Sequence, residues 1–282
     1  MKTLFVSTDF SATGNNAVRF AIHYAKAVKS RLIIFHSTHL PPFKPTLSEA
    51  EYLMLEKNTE EKQHKRLDLV VSKIYREQGL KRDSKKVSVV VKNSVFAMEA
   101  IVSVAKAYQA DLIIVGTHGA TGLKLFGSTT SELIFKAAAP VLAIPPRYRY
   151  RKIKTIVYAT DLKNMVNELR CIVPIANLAN AAIEVLYLDF GMGNVKTNLE
   201  IKDLIKQLKY KKIKIIVQKE KAVLSILEQL QQYLKNRKPE VLVMFPEERS
   251  IFDKLFVRSK TEELVYQAKL PLLTYLKSNV EQ

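Results

Sequence analysis

The chain has 282 residues, of which 48% are hydrophobic and 26% are charged. These fractions are ordinary for a globular protein and exclude a disordered or collagen-like chain, and the length favours two domains. The net charge is +18, from 45 basic and 27 acidic residues, so nucleic acid is the first partner to consider. Residues 1–150 hold 22 basic and 12 acidic residues, and the remainder hold 23 and 15. Because the basic residues are spread evenly along the chain, a solvated surface is favoured over a dedicated basic stripe that binds nucleic acid, unless folding gathers the charge on one face.

The hydrophobic pattern predicts no membrane span and no signal peptide. The longest apolar runs, such as Leu112–Val115, have the length of a strand, whereas a helix needs ~18–20 residues to span a bilayer. The N-terminal stretch reaches Asp9 before it builds the apolar core of a signal peptide. The single cysteine, Cys171, cannot form an internal disulfide. We therefore expect a cytoplasmic protein with no membrane partner.

The first half predicts strands that alternate with helices. Its strands are rich in Val, Ile and Leu, as in a parallel sheet that is covered on both faces. In chain order the predicted elements are a strand at 2–7, a helix at 13–29, a strand at 31–37, a helix at 47–79, a strand at 86–92, a helix at 95–108, a strand at 111–116, a helix at 129–137 and a strand at 140–145. Parallel strands joined through helices require right-handed crossovers, which predicts a doubly wound α/β fold.

The second half repeats this order. Residues 154–161 resemble residues 2–9, and residues 240–245 resemble residues 111–116 at a smaller offset. Segments that match in one order indicate a tandem duplication, and the falling offset places a deletion between the second and third strands of the second copy. We therefore predict two five-stranded, doubly wound parallel sheets with helices on both faces. The predicted domains are 1–146 and 151–282, joined by a short basic linker.

Two candidate ligand contacts follow the first and second strands. Open α/β sheets bind ligands beyond the carboxyl ends of their strands, near the point where the strand order reverses. Asp9 follows the first strand, where its carboxylate can accept hydrogen bonds from ribose hydroxyls or an adenine amine. A helix N-cap or turn acid is an equal alternative for Asp9. Ser37 ends the second strand, where backbone groups can line an adenine pocket, although a strand that simply leaves the sheet explains this position equally well.

A glycine-rich loop follows the fourth strand. Four of the eight glycines of the chain lie between Gly116 and Gly127. Glycines let the backbone approach a phosphate closely, and Ser128 and Thr129 would open the next helix, whose N-terminus attracts anions. The alternative is a glycine-rich connector with a Ser/Thr N-cap. We favour phosphate binding, although the loop matches neither the P-loop nor the dinucleotide G-x-G-x-x-G motif.

These features resemble the universal stress protein family in its tandem form. The resemblance rests on Asp9, on the loop that ends in Gly127 and Ser128, and on the closing strand 139–145, and it covers nearly the whole chain. It implies the adenine nucleotide alpha hydrolase-like fold. Members that bind ATP carry G-x2-G-x9-G-[ST] after the fourth strand and also use the acid after strand one and the end of strand two. The nucleotide-binding residues that the resemblance implies here are Asp9, Ser37, Gly116, Gly119, Gly127, Ser128 and Thr129.

The loop of the first copy departs from the family pattern. Seven residues, not nine, separate Gly119 from Gly127. A tighter loop puts triphosphate binding in doubt while leaving room for adenosine or AMP. Gly122 and Lys124 remain in this interval as candidate phosphate contacts, and an exposed, solvated lysine is the simpler interpretation of Lys124.

The second copy departs from the pattern in the opposite way. It keeps the family spacing, but Phe245, Glu248 and Arg258 occupy the three glycine positions. Side chains there fill the space that a ligand needs, and the added acid repels phosphate. Asp161 persists, yet alone it defines no site. We expect the second copy to be structural, with an anion held by Arg249 and Arg258 as the weaker alternative.

The sequence thus favours a protein that binds or senses ATP, ADP or AMP in its first domain without efficient catalysis, with Mg²⁺ as an optional companion. The first alternative is an ATP-hydrolysing or nucleotidyl-transferring enzyme of the same fold, but the chain lacks the SGGxDS-like and HIGH-like motifs of such enzymes. The second alternative is a basic scaffold that binds nucleic acid, which the absence of any nucleic-acid-binding motif disfavours.

The resemblance also implies how the two copies associate. Members of the family commonly dimerise by pairing their fifth strands. Here residues 141–145 and 271–275 could pair within the chain and form a pseudo-dimer, which would remove an exposed sheet edge from each half. A homodimer of two chains stays open.

Overall fold

The computed structural model describes residues 1–40, 48–117, 132–134, 136–189, 205–219, 224–245 and 270–276. These residues form two compact units: the first unit, which ends at Tyr150, and the second unit, which begins at Arg151.

In the first unit, parallel strands alternate with helices. Its elements are β1 Thr3–Ser7, α1 Ala12–Val28, β2 Arg31–Thr38, α2 Glu49–Glu77, β3 Val87–Asn93, α3 Ala97–Ala107, β4 Leu112–Gly116 and β5 Val141–Ile144. The strand order is β3-β2-β1-β4-β5, and neighbouring strands pair in parallel. The order reverses between β1 and β4, so the carboxyl ends of these strands flank the switch point. The predicted α/β fold is confirmed.

The second unit repeats this arrangement. Its elements are β6 Thr155–Thr160, α4 Met165–Ala179, β7 Ala182–Asp189, β8 Ile213–Lys219, α5 Ile226–Arg237, β9 Val241–Met244 and β10 Leu272–Thr274. The strand order is β8-β7-β6-β9-β10, again with parallel pairing. The switch point of this unit therefore lies between β6 and β9.

The core of the first unit consists of its central strands. Leu4, Phe5 and Val6 of β1 are fully buried, as are Ile33 and the other apolar residues in the middle of β2. Both faces of these strands are covered, which explains why their sequences are continuous apolar runs rather than alternating patterns.

The segment after β5 packs against α1. Asn16 Nδ2 donates to the carbonyl oxygens of Pro145 and Tyr148, at 3.3 Å and 3.0 Å. The Tyr150 ring stacks on His23, with ring centres 5.5 Å apart, and meets the edge of Phe20 at the same distance. These contacts fix the chain on the first unit up to the start of the second.

The second unit carries a buried charge where the first unit carries an aliphatic residue. Glu184 of β7 pairs with Val157, whereas the matching residue of β2 is Ile33, which pairs with Phe5. Glu184 is 4% exposed. Arg237 Nη2 lies 2.6 Å from Glu184 Oε1, and Tyr233 OH donates to Oε2 at 2.8 Å.

These contacts decide the ionisation of Glu184. Burial by itself raises the pKa of this carboxyl, but the hydrogen bonds from Arg237 and Tyr233 and the charge of Arg237 outweigh burial and hold the pKa below its ordinary value of 4.5. The folded second unit therefore stabilises the carboxylate form, and this ion pair ties α5 to β7.

We predict that Glu184→Gln lowers the stability of the protein in a pH-dependent way. Because the folded pKa is depressed, the carboxylate stabilises the fold above the unfolded value of 4.5, and this contribution is lost as the pH falls through the folded pKa. At pH 7 the variant should lose about 1.5–3 kcal/mol, the range of a hydrogen bond to a charged group. Thermal unfolding of wild type and variant at pH 7 and below pH 4 measures the difference.

Glu61→Gln, on the exposed surface of α2, is the matched control and should leave the unfolding temperature unchanged at both pH values. A deficit in Glu184→Gln that stays constant across this pH range would contradict the role of the ionised carboxylate.

Candidate functional site

A cleft opens at the switch point of the first unit, beyond the carboxyl ends of β1 and β4. Its described lining is small and mostly polar, and consists of Ser7, Thr8, Asp9, Ser11, Gly14, Ser37, Ala97, Ile101, Val115 and Gly116. The cleft volume is ≈ 120 Å³, whereas ligand pockets typically hold about 300–1,000 Å³. A ligand larger than a single ring system would therefore extend beyond these walls.

The turn after β1 forms one wall of the cleft. Asp9 Oδ1 accepts a hydrogen bond from the backbone N–H of Ser11 at 2.9 Å, and Thr8 Oγ1 accepts from the N–H of Phe10 at 3.1 Å. Phe10 adopts a left-handed conformation with φ of 64°. Asp9 is therefore a turn acid, one of the two roles that the sequence offered, and its side chain also lines the cleft. The N-cap of α1 is Ser11, whose Oγ accepts from the N–H of Gly14.

Two glycines let α1 approach the strand ends closely. A Cβ on Gly14 would lie 2.7 Å from Asp9 Oδ1 and 2.8 Å from Thr8 Oγ1. A Cβ on Gly116 would lie 2.7 Å from the carbonyl oxygen of Thr13. Both distances are shorter than real carbon contacts, so a side chain at Gly14 would displace the turn after β1 and one at Gly116 would displace the backbone of Thr13. Gly116 thus has a packing role in addition to its place at the cleft.

The end of β2 forms the opposite wall. Ser37 lines the cleft together with Asp9. Pairing with β3 continues past it, since Thr38 is in register with Asn93 and the carbonyl oxygen of Thr38 accepts from Ser94 N–H. β2 therefore does not simply leave the sheet at Ser37, and its last residues are held in place beside the cleft.

A stack of three side chains supports the turn from beneath. His36 Nδ1 lies 2.9 Å from the carbonyl oxygen of Thr8. The rings of His36 and Phe10 are 4.2 Å apart, and the Arg66 guanidinium lies 4.1 Å from the Phe10 ring centre. Burial lowers the pKa of His36, and the charge of Arg66 lowers it further against the opposing effects of Thr8 and Asp9. A neutral His36 at pH 7 keeps a second cation away from this stack.

The structure brings together three of the eight predicted contact residues, namely Asp9, Ser37 and Gly116. The other five lie outside the described residues, as does Lys124; they are Gly119, Gly122, Gly127, Ser128 and Thr129. The last described residue before them, Thr117, is buried, and its N–H donates to the carbonyl oxygen of Ile144 at 2.9 Å.

The sequence reasoning did not single out the other seven residues of the cleft, which are Ser7, Thr8, Ser11, Gly14, Ala97, Ile101 and Val115. A signal for two of them was available. A serine directly before a helical pattern predicts an N-cap, and a lone glycine inside a helical pattern often has a packing reason. Nothing in the sequence pattern singled out Thr8, because its side-chain contact with Asn15, at 3.1 Å, depends on how α1 meets β1.

Comparison with known proteins identifies the family. A model described as "Universal stress protein family" matches residues 1–145. The chain belongs to this family. A curated relative, universal stress protein MJ0531 of Methanocaldococcus jannaschii, is 29% identical over 145 residues, which are 51% of this chain and 81% of the relative.

Solved structures resemble the fold over nearly the full chain. A universal stress protein from Archaeoglobus fulgidus is similar with a TM-score of 0.65 at 11% identity, over 97% of this chain and 96% of that one. The functionally unknown protein PA1789 from Pseudomonas aeruginosa is similar with a TM-score of 0.56 at 14% identity, over 100% and 95%. At these identities the comparison establishes the fold alone.

The second unit of this universal stress protein keeps the same turn after its first strand. Asp161 Oδ1 accepts from Lys163 N–H at 3.1 Å, and Thr160 Oγ1 accepts from Leu162 N–H at 3.0 Å. Leu162 has a φ of 67°, close to that of Phe10. The duplicated sequence has therefore preserved the turn in detail.

Side chains fill the space beside this second turn. Tyr158 is fully buried, and its hydroxyl group donates to buried Glu168 and contacts Thr160. Burial and the Glu168 carboxylate raise the pKa of Tyr158 well above its ordinary value, so the phenol stays protonated. Phe245, at the position of Gly116, packs edge-on against Tyr158 and stacks on Tyr275 with ring centres 4.9 Å apart. Glu248, Arg249 and Arg258, which the sequence analysis also singled out, lie outside the described residues.

The described part of the chain contains no group of three or more His, Cys, Asp or Glu side chains that could hold a metal ion. No helix within it combines the length and the apolar character needed to cross a membrane.

We predict that Gly14→Ala destabilises the first unit, although the same change in an exposed helix interior usually stabilises by about 1 kcal/mol. The new methyl group would overlap Asp9 Oδ1 and Thr8 Oγ1, so the turn must move, at a cost of about 1–3 kcal/mol. Thermal unfolding measures the change. Asn58→Ala, at an exposed position of α2, is the control and should not lower the midpoint. An equal or higher midpoint for Gly14→Ala would refute the tight contact.

Proposed function

We propose that the first unit binds an adenine nucleotide, ATP, ADP or AMP, in the cleft at Asp9, Ser37 and Gly116. The observation that carries the proposal is the convergence of an acid, a hydroxyl group and a glycine-lined backbone at the switch point of an open parallel sheet, where such sheets bind ligands. Membership of the universal stress protein family supports it.

The lining suggests how the nucleoside is held. The Asp9 carboxylate is oriented by Ser11 N–H and offers acceptor oxygens to ribose hydroxyls or the adenine amine. Ala97 and Ile101 of α3 and Val115 of β4 supply the apolar surface that a base needs. Because the cleft is small, the phosphates would extend beyond it, and the predicted contacts at Gly119, Gly127 and Ser128 would receive them.

We further propose binding or sensing without efficient turnover. Among the described lining residues, Asp9 is the single ionisable side chain. General acid–base catalysis needs a donor or acceptor with a suitable pKa within hydrogen-bond reach of the reacting atoms, and the described lining offers no second such group beside Asp9.

Incubation of wild type with ATP should release no phosphate above background, measured by a phosphate assay over several hours. Stoichiometric release that Asp9→Ala abolishes would favour the enzymatic alternative.

The second unit is proposed to be structural. Phe245 stands where the first unit has the cleft residue Gly116, and it packs against the buried Tyr158, so we expect one nucleotide per chain. We also propose that the fifth strands of the two units pair within the chain into a pseudo-dimer, with or without a homodimer of two chains. A cytoplasmic location of the protein is proposed as well.

Isothermal titration calorimetry with ATP, ADP and AMP tests the site. We expect one site per chain, with AMP bound at least as tightly as ATP because the glycine loop is two residues shorter than the family pattern. Asp9→Ala should weaken binding about 10- to 100-fold, since a hydrogen bond to a charged group contributes about 1.5–3 kcal/mol.

Asp161→Ala is the matched control, because it removes the equivalent turn acid of the second unit and should leave the affinity unchanged. Absence of heat with millimolar nucleotide on wild type would overturn the proposal. An equal loss in both variants would show that the turn acid acts only through stability.

A further inference from the structure

The excess of positive charge is concentrated at one end of each sheet. The described segments that lead into the amino ends of the strands contain 13 of the 45 basic residues but only 3 of the 27 acidic ones. They are residues 1–2, 29–30, 78–86, 108–111, 137–140, 151–154, 180–181, 207–212, 238–240 and 270–271. About an eighth of the chain thus carries more than half of its net charge. Twelve of the 13 basic side chains are exposed; the exception, Arg82, forms an ion pair with Asp68.

The described segments at the opposite end of each sheet show a much smaller excess. Their charged residues, which follow the carboxyl ends of the strands, carry a net charge of +1; they are Asp9, Arg147, Arg149, Asp161 and Lys163. The two ends of the sheet in each unit therefore differ in charge. The cleft and its turn lie at the end with the smaller excess.

The three acids within the basic segments are engaged with the backbone. Asp111 Oδ2 accepts from the N–H groups of Lys2 and Thr3, at 2.5 Å and 2.8 Å. Glu240 Oε2 accepts from the N–H groups of Lys154 and Thr155 in the same way in the second unit. Asp83 accepts from Lys85 N–H. These carboxylates fix the starts of β1, β6 and β3, and they offset only three of the 13 positive charges of these segments.

The cations form a row across neighbouring strands. The carbonyl oxygen of Lys2 accepts from Arg31 N–H, and that of Lys86 accepts from Leu32 N–H, so Lys2, Arg31 and Lys86 mark the starts of β1, β2 and β3. Because adjacent strands lie about 4.8 Å apart, the backbone positions of these three basic residues are close neighbours along the edge of the sheet.

The second unit repeats the row. The carbonyl oxygen of Lys154 accepts from Ala182 N–H, and that of Lys212 accepts from Ile183 N–H. Lys154 and Lys212 thus flank the start of β7, as Lys2 and Lys86 flank the start of β2. A repeated row of point charges suits a ligand whose own charges repeat.

Helix dipoles account for only a small part of this pattern. Cations near helix C-termini are stabilised by the negative end of the dipole, and Lys29 and Lys238 are the C-cap residues of α1 and α5. The other basic residues lie beyond the helix ends, on turns and strand starts.

From this segregation we propose that the amino-end face of each unit, defined by the segments above, binds the phosphate backbone of nucleic acid without sequence preference. The face offers mainly lysines, which act as point charges rather than as bidentate readers of bases. Its one charge-stacked ring, Tyr108, already lies against Arg31. Affinity should therefore come from counterion release and fall steeply with salt.

An acidic membrane is the less suitable partner. Stable attachment of a protein to a bilayer surface usually needs inserted apolar or lipid groups in addition to charge. The exposed large hydrophobic residues of the described chain are Leu53, Met54, Leu55, Leu69, Val95, Phe96, Leu178 and Val217. None of them lies in the basic segments.

Fluorescence anisotropy with a labelled 20-nucleotide oligouridine tests the proposal. Wild type should bind at low salt, and the logarithm of its association constant should fall linearly with the logarithm of salt concentration. The face variant combines Lys85→Gln, Lys86→Gln, Lys209→Gln and Lys211→Gln. We expect at least tenfold weaker binding and a salt slope that is smaller by about 2–3, given roughly 0.7 per phosphate contact in single strands.

The matched control removes the same charge from α2 through Lys57→Gln, Lys62→Gln, Lys65→Gln and Lys73→Gln. It should change the affinity less than threefold, and circular dichroism should show that both variants fold. An equal loss in both variants, or no binding by wild type at low salt, would overturn the proposal. Capture by phosphatidylserine vesicles but not by oligouridine would assign the face to membranes and also overturn it.

Discussion

The first unit depends on how closely the start of α1 approaches the ends of β1 and β4. At Gly14 and Gly116 a single methyl group would overlap the turn after β1 or the backbone of Thr13. This approach places the Ser11 cap beside Asp9, so that one backbone N–H fixes the carboxylate at the mouth of the cleft. The chemistry available at the switch point is thus a consequence of missing side chains as much as of the polar groups present.

The second unit shows what happens when that constraint is relaxed. Its turn is nearly identical, with the same two side-chain hydrogen bonds and the same left-handed residue. Yet an aromatic residue, Phe245, replaces Gly116, and Tyr158 and Glu168 occupy the space beside the turn. A local turn can therefore persist where an aromatic side chain replaces the glycine of the cleft, so a surviving Asp161 alone is weak evidence for a site.

The distribution of charge adds a second level of organisation. In a parallel sheet all strand starts lie at one end and all ligand-binding turns at the other. Lysines that are scattered along the sequence therefore gather at one end whenever they precede strands. Both units share this pattern, with Asp111 and Glu240 holding equivalent backbone groups, so the polarity of the charge follows the polarity of the fold.

Much of the fold could be predicted from the sequence because it is written in local patterns. Continuous Val, Ile and Leu runs identified the buried strands, and the repeated segments identified the second copy. For the site, position after a strand was enough to find Asp9, Ser37 and Gly116. Thr8, Ser11 and Gly14 were missed because their roles come from contacts between β1 and α1, and the sequence pattern does not encode the distance between these elements.

The sequence by itself determined the α/β class, the duplication, the family and three residues that line the cleft, Asp9, Ser37 and Gly116. Only the tertiary structure decided that Asp9 is both a turn acid and a cleft residue, and that Phe245 of the second unit packs against Tyr158. It also decided that a charge spread evenly along the chain is uneven in space. The physical reason is the same in each case: hydrophobic periodicity is a local property, whereas cavities and surface potentials arise from residues that the parallel topology brings together from distant parts of the chain.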